Sequence, residues 1–337
     1  MSVVVIGSGL AGVSFAEKYR ALNPTETITL ISKETDGYYS RPLLSRGFSK
    51  SNIEQSIILK TFAQLQENQI TVISNAEINA IDPTNKTVTY QQLNQTASIT
   101  YDKLILGPGS AAFIPPPFRP YTELFFCLNS LADLKQLRRF RQQFLDQNRH
   151  PHWAVVGGGL IGCEISSDLA VSGDKVTLFH AMDRLMERQL DATDSERLLA
   201  IFQEGGVEVR LNQAIQGFSK QGDKVLVNTT STSEFDGLLV CCGFKPRTEL
   251  AEQAGLTTGR GIKVNEFLQT SDPAIYAIGD AAELPNGKLY AFVLPIRSQA
   301  FWLANYLSGQ TTEPWLAPAF NPQAKVHGFE AVHPMAF

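Results

Sequence analysis

Cysteine is scarce: the chain holds four in 337 residues, Cys127, Cys163, Cys241 and Cys242, and no two stand in a CxxC or CxxxxC spacing. That argues against a zinc ribbon and against a spaced redox disulfide. Cys241 and Cys242 are neighbours in GLLVCCGFKP, a strand-like run whose successive side chains point to opposite faces, so they read as small core residues rather than as a vicinal disulfide. The five histidines form no HExxH pair, and His150 and His152 flank Pro151 in a loop, so no metal site is expected. Charge of one sign is also lacking. A formal net charge of −4 gives no general attraction to nucleic acid or to an anionic membrane. No run of about 18 apolar residues occurs, and the first apolar run, Val3 to Ile6, has no basic leader. Neither a membrane span nor a signal peptide is expected, and a cytoplasmic location follows by default. Low-complexity tracts are missing as well.

What is present is a regular alternation of strand-like and helix-like segments, the pattern of an α/β protein with mainly parallel sheets. Apolar residues make up 43% of the chain and charged residues 18%, which suffices for two ordinary domains. Val3 to Ile6 leads through a glycine-rich turn into a helix over 11–22 and then the strand TITLIS. The same order recurs later. Trp153 to Val156 leads through a second glycine turn into a helix over 161–171 and the strand KVTLF. One βαβ unit is therefore repeated. Between the copies lie an alternating segment around Lys86 to Tyr101, the strand YDKLIL, and IPPPFRP, which reads as a crossover linker.

Both turns carry three glycines at the same spacing: Gly7, Gly9 and Gly12, then Gly157, Gly159 and Gly162. Each position excludes a side chain for its own reason. The first permits the tight strand-to-helix turn, the second lets backbone approach a pyrophosphate, and the third lets helix and strand pack closely, with the helix N-terminus facing the phosphates. Both copies sit between a strand and a helix, so two dinucleotides are expected.

A third segment, TSDPAIYAIGDAAE, resembles the part of two-dinucleotide flavoproteins in which a strand ends in Gly-Asp and the carboxylate accepts hydrogen bonds from the flavin's ribityl chain. Asp280 is that carboxylate here. Downstream, Pro295 precedes the amphipathic IRSQAFWLANYL, a helix expected to end near Gly309 and to aim its positive end at a flavin ring.

With VVIGSGLAG, YYSRPLLSRGFS, YDKLILGPGS, VVGGGLIGCEISSDL, GFKPRTELAEQAGL and AIGDAAE in order along nearly the whole chain, the sequence resembles the pyridine nucleotide-dependent flavoprotein oxidoreductases. Within them it is similar to rubredoxin reductases and their nitric oxide reductase-linked relatives. The resemblance implies two Rossmann-like domains. A discontinuous FAD domain (1–113 and 243–309) is split around an NAD(P)H domain (114–242), and 310–337 begins a shortened C-terminal interface domain around Trp315, Phe320 and Phe329. It implies cofactor contacts at Gly7, Gly9, Leu10, Ala11, Gly12, Ser32, Lys33, Arg41, Pro42, Gly107, Gly157, Gly159, Leu160, Ile161, Gly162, Glu164, His180, Gly243, Gly279, Asp280 and Pro295. The turn Gly107-Pro108-Gly109 stands where the family usually has Ala-Thr-Gly.

Some positions depart from the family. Ser32 stands where an acid usually meets the FAD ribose, with Glu34 two residues on. His180, followed by Asp183 and Arg184, stands where an NAD acid or an NADP-binding arginine is looked for, so NADH and NADPH both stay open, with the family tilting toward NADH.

Disulfide reductases of this superfamily carry a cysteine pair between the first loop and residue 50, and peroxidase-like members carry one cysteine. This chain has Tyr39, Ser40, Arg41, Pro42 and Ser45 there and no cysteine, so electrons are expected to leave the flavin directly. The family often pairs a lysine at position 41 with the glutamate that follows the second loop. Arg41 and Glu164 are the corresponding residues, expected to form an ion pair beside the flavin that orients and balances charge.

The resemblance thus implies an FAD-dependent NAD(P)H:rubredoxin reductase passing single electrons to a small iron carrier. Arg41, Arg46 and Lys50 are candidates for docking an acidic carrier. An NADH oxidase, a ferredoxin-type reductase and a non-enzymatic flavin redox sensor are the alternatives.

Overall fold

The structure, a computed structural model, describes residues 1–336. The elements used below are, in chain order, β1 (Ser2–Ile6), α1 (Leu10–Leu22), β2 (Thr27–Ile31), β3 (Thr71–Ile73), β4 (Lys103–Leu106), α2 (Leu131–Leu145), β5 (His152–Val156), α3 (Leu160–Val171), β6 (Lys175–Phe179), α4 (Ala192–Glu204), β7 (Glu208–Arg210), β8 (Gly237–Val240), β9 (Ile275–Ala277) and α5 (Val293–Leu307). They fall into two compact units.

The first unit comprises Met1–Ser40, Ile58–Ala111 and Lys245–Phe320. Its sheet runs β9-β4-β1-β2-β3, parallel throughout, with Ser2 opposite Thr27 and Val3 opposite Lys103. Val3, Val4 and Val5 are all fully buried, which is why the strand reads as a continuous apolar run and not an alternating one. α1 and α5 pack on each other. Pro295 sits in the first turn of α5, where its missing N–H costs no helical bond, and Gly309 beyond the helix has φ +69°. The alternating stretch noted in the sequence is a three-stranded antiparallel meander, Ala76–Asp82, Thr87–Gln92 and Gln95–Thr100. Trp315 is buried in this unit and packs edge-on against Tyr290, while Phe320 meets Phe292.

The second unit comprises Arg41–Ile57, Ala112–Phe244 and the described residues from Asn321 on. Its sheet runs β7-β6-β5-β8, again parallel, with His152 opposite Lys175 and Trp153 opposite Gly237. α2 starts at a capping box in which Ser130 and Asp133 satisfy each other's amides. The stretch read as a linker, IPPPFRP, opens a run of 3-10 turns over Pro116–Leu124 that buries Phe118 against Phe218, ring centroids 4.9 Å apart.

The repeat extends further than the sequence pattern showed. A second meander, Gly217–Gln221, Lys224–Asn228 and Thr232–Phe235, precedes β8 just as the first precedes β4. Each return strand then ends in a turn whose last glycine has positive φ, Gly109 at +69° and Gly243 at +106°. Cys241 and Cys242 therefore occupy the places of Gly107 and Pro108. Phe329 is buried in this second unit, in a segment with no helix or strand. Among the described residues no helix is long and apolar enough to cross a membrane.

Candidate functional site

The two glycine turns have nearly identical geometry. After β1, Gly7 has φ +104°, and a Cβ there would lie 2.2 Å from the Gly107 carbonyl oxygen. A Cβ on Gly12 would lie 1.9 Å from the Gly7 oxygen, so only glycine lets α1 lie this close to the turn. After β5, Gly157 has φ +112° with the Cys241 oxygen at 2.4 Å, and Gly162 would meet the Gly157 oxygen at 1.8 Å. These four glycines are demanded by the fold itself.

The middle glycines differ. Gly9 and Gly159 have ordinary backbone angles (φ −75° and −81°), and a Cβ on either would meet nothing within 4 Å. Each is the N-cap of its helix and supplies no side-chain cap. Unspent amides at a helix start attract anions, and the missing side chain leaves room for one to approach. The residues present therefore fit a dinucleotide pyrophosphate at each loop.

Around the first loop, Ser32 is buried and spends its hydroxyl on Ser8 (2.6 Å) and on the Glu34 amide (3.1 Å). Lys33 forms an exposed ion pair with Glu77 at 3.0 Å, and Glu34 accepts from the Tyr39 hydroxyl at 2.9 Å. Gly279, at φ +79°, would place a Cβ 3.0 Å from that of Ala11 and 3.8 Å from Ile296 Cγ2. Its amide donates to Gln299 on α5 (2.8 Å). The next residue, Asp280, accepts from Ser110 Oγ at 2.7 Å. The starts of α1 and α5 thus converge with Gly279, beside Asp280.

Around the second loop, His180 follows β6 and is buried. Its Nδ1 accepts from the Gly158 amide (3.0 Å), which leaves the ring proton on Nε2 for donation to Glu187 (3.0 Å). This hydrogen bond parallels the Ser8–Ser32 contact in the first loop. Glu187 reaches His180 from seven residues further along, through a chain reversal in which Met186 has φ +51°. Arg184 is turned inward, donating to the carbonyl oxygens of Leu190 (2.6 Å) and Glu187 (3.1 Å). Asp183 is exposed.

The expected Arg41–Glu164 ion pair is not formed. Arg41 Nη1 donates to the Asn129 carbonyl. Glu164, 4% exposed, accepts from Ser45 Oγ (2.7 Å), Lys325 N (2.9 Å) and Lys325 Nζ (2.6 Å). The 3-10 turn over Arg41–Arg46 packs on α3 and buries Ser45 against it. The cation comes instead from a segment 161 positions further along, one that no local pattern marks. Pro42 accepts from Ser45 through its carbonyl (3.3 Å). Of the three docking candidates, Lys50 is exposed, while Arg41 and Arg46 are half-buried, with Arg46 meeting His327.

All four cysteines are free thiols. Burial pushes Cys127 and Cys242 up to about 11 and raises Cys163 and Cys241 as well, so none is a thiolate near neutral pH. Asp191, Asp194 and His333 bring potential ligand atoms within 4.8 Å of one another. Both Asp194 oxygens already accept backbone amides, from Val332 (3.1 and 3.0 Å) and His333 (3.0 Å), and the group acts as an anchor for those residues.

The family described as pyridine nucleotide-disulphide oxidoreductase matches residues 1–299. A rubredoxin-NAD(+) reductase of Alcanivorax borkumensis is 32% identical over 315 residues, covering 92% of this chain and 80% of that protein. A nitric oxide reductase FlRd-NAD(+) reductase of Escherichia coli is 33% identical over 313 residues, with the same coverages of 92% and 80%. Among solved structures, a covalent putidaredoxin reductase–putidaredoxin complex superimposes with a TM-score of 0.86 at 27% identity, over 98% of this chain and 80% of that one. A NAD-dependent persulfide reductase from A. fulgidus gives 0.89 at 26% identity, and this chain spans only 63% of its length.

Proposed function

Because the chain belongs to the pyridine nucleotide-disulphide oxidoreductase family, we propose that it is an FAD-dependent NADH:rubredoxin reductase. One observation carries this reading. Two glycine loops of matching geometry each leave an open, uncapped helix start, and no cysteine lies between the first loop and residue 50. FAD, once bound, supplies a centre that takes two electrons as a hydride and gives them up singly, which suits a one-electron iron carrier.

The first loop, with Ala11, Gly107, Gly279, Asp280 and the start of α5, supports the FAD assignment, with Asp280 as acceptor for polyol hydroxyls. The second loop supports NADH. His180 holds Glu187 as an acceptor for a ribose diol, and the same carboxylate would repel a 2′-phosphate. Glu164 stands as a buried, hydrogen-bonded carboxylate early in α3, fit to orient a neutral amide donor. The absence of a cysteine between the first loop and residue 50 supports direct transfer of electrons to an external acceptor. Relatives at 32–33% identity named for rubredoxin and flavorubredoxin reduction support a rubredoxin-type carrier. Reduced cysteines and NADH use fit a cytoplasmic location.

Anaerobic titration of the yellow protein with NADH, then NADPH, then rubredoxin tests the proposal. Full bleaching by NADH and reoxidation by rubredoxin within milliseconds to seconds is expected. Bleaching followed by reoxidation with oxygen alone would identify an oxidase, and bleaching too slow for turnover would identify a sensor.

A further inference from the structure

Residues 321–336 form no helix or strand, so their backbone amides must find partners elsewhere. In the second unit those partners are buried acids and a hydroxyl group. Lys325 N donates to Glu164 (2.9 Å), His327 N to Ser167 Oγ (2.9 Å), and Val332 N and His333 N to Asp194 (3.0 Å each). Side chains repeat the pattern, with Lys325 Nζ on Glu164 at 2.6 Å, His327 Nε2 at 3.1 Å from Asp168, and His333 Nδ1 at 2.8 Å from Asp191. Val326, Phe329 and Met335 are buried. The segment is a strap with two moorings, one on α3 at Glu164, Ser167 and Asp168, the other at the start of α4 at Asp191 and Asp194.

The first mooring matters to the loop. Two of the three donors to the buried Glu164 carboxylate belong to Lys325, and its only ion-pair partner among the described residues is Lys325. A carboxylate this deeply buried is strongly disfavoured without a cation beside it and swings toward water when the cation is removed. We propose that Lys325 is a positioning residue for the reduction by NADH. By holding Glu164 oriented beside the second glycine loop, it makes the strap a working part of that site. The inference rests on the reading above that this loop takes NADH.

The test compares wild type with Lys325→Met, Lys325→Arg and, as a control at the far mooring, His333→Ala. Stopped-flow flavin reduction, calorimetric titration with NAD+ and hydrogen exchange of segment 321–336 are read for each. Lys325→Met is expected to slow the limiting reduction rate at least about tenfold while moving the apparent NADH constant less than about threefold, and Lys325→Arg to recover most of the loss. Exchange should quicken at 325–327 in Lys325→Met and at 332–334 in His333→Ala, with reduction unchanged in the latter. A Lys325→Met rate within about twofold of wild type, or a Lys325→Arg rate as low as Lys325→Met, overturns the proposal. If wild type itself is not reduced by NADH, the functional reading fails instead, and the exchange data still report whether Lys325 moors the strap.

Discussion

Replacing one glycine of the second loop at a time separates fold from function. In Gly162→Ala the new methyl would lie 1.8 Å from the Gly157 oxygen and 3.0 Å from its carbonyl carbon. An ordinary carbon–oxygen contact is nearer to 3.3 Å, so α3 and the turn must separate by roughly 1.5 Å. The obstacle is backbone, and Gly157 is itself wedged against the Cys241 oxygen, so no rotamer change relieves it. Overpacking of this kind costs about 1–3 kcal/mol, and the upper end applies here. The helix gains only about 0.5–1 kcal/mol from Gly→Ala. The net loss of about 2 kcal/mol should lower the urea midpoint of the second unit by about 1 M at a slope near 2 kcal/mol/M. Gly159→Ala has no such clash. Its stability should change by less than about 0.5 kcal/mol, or rise slightly through the unfolded chain. Its NADH affinity, however, should fall about 10- to 100-fold, equal to about 1.4–2.7 kcal/mol, because the methyl occupies the approach of a pyrophosphate. Paired urea melts and NADH titrations of the two variants decide the matter. Equal destabilisation in both, or unchanged NADH binding in Gly159→Ala, would refute the division of roles.

Glu187→Gln should lower the preference for NADH over NADPH by about tenfold and Glu187→Arg by more, read as the ratio of kcat/KM values; an unaltered ratio in both would remove Glu187 from cofactor choice. Asp194 gives the strap an acid limit. Burial acts to raise its pKa, but the amides of His333 and Val332 and the Arg197 guanidinium outweigh it and hold it at about 2. A depressed folded-state pKa means stability present above the unfolded value and lost as pH falls through about 2. Proteolysis of 321–336 should therefore accelerate toward that pH, and Asp194→Asn should show less of this acid dependence while costing about 1.5–3 kcal/mol near neutrality. Thiol reagents should modify the four cysteines slowly at neutral pH in the folded protein, and Cys242→Ser should leave electron delivery to rubredoxin unaltered within about twofold; a large loss would reveal a sulfur relay.

Both βαβ units were legible in the sequence because their requirements are local. Gly12 acts against Gly7, and Gly162 against Gly157, within five residues, with strand before and helix after, although Gly7 and Gly157 also face the distant carbonyls of Gly107 and Cys241. The missing cysteines near residue 40 were equally plain. Ser32 and His180 stood out as departures from the family pattern, but the carboxylate that pairs with His180 was not visible: Glu187 reaches His180 only because the chain reverses at Met186. The second meander passed unseen because KVLVNTTSTSEF alternates only weakly.

Arg41 and Lys325 show the deeper division. A cation for Glu164 was implied by the family resemblance, yet which residue provides it is a question of packing. The sequence by itself determined the helix entry of each loop, where steric exclusion acts between near neighbours such as Gly12 and Gly7. Tertiary structure alone decided which distant side chain met the buried charge, because that choice depends on how an irregular segment satisfies its own amides against a surface assembled from far-apart parts of the chain.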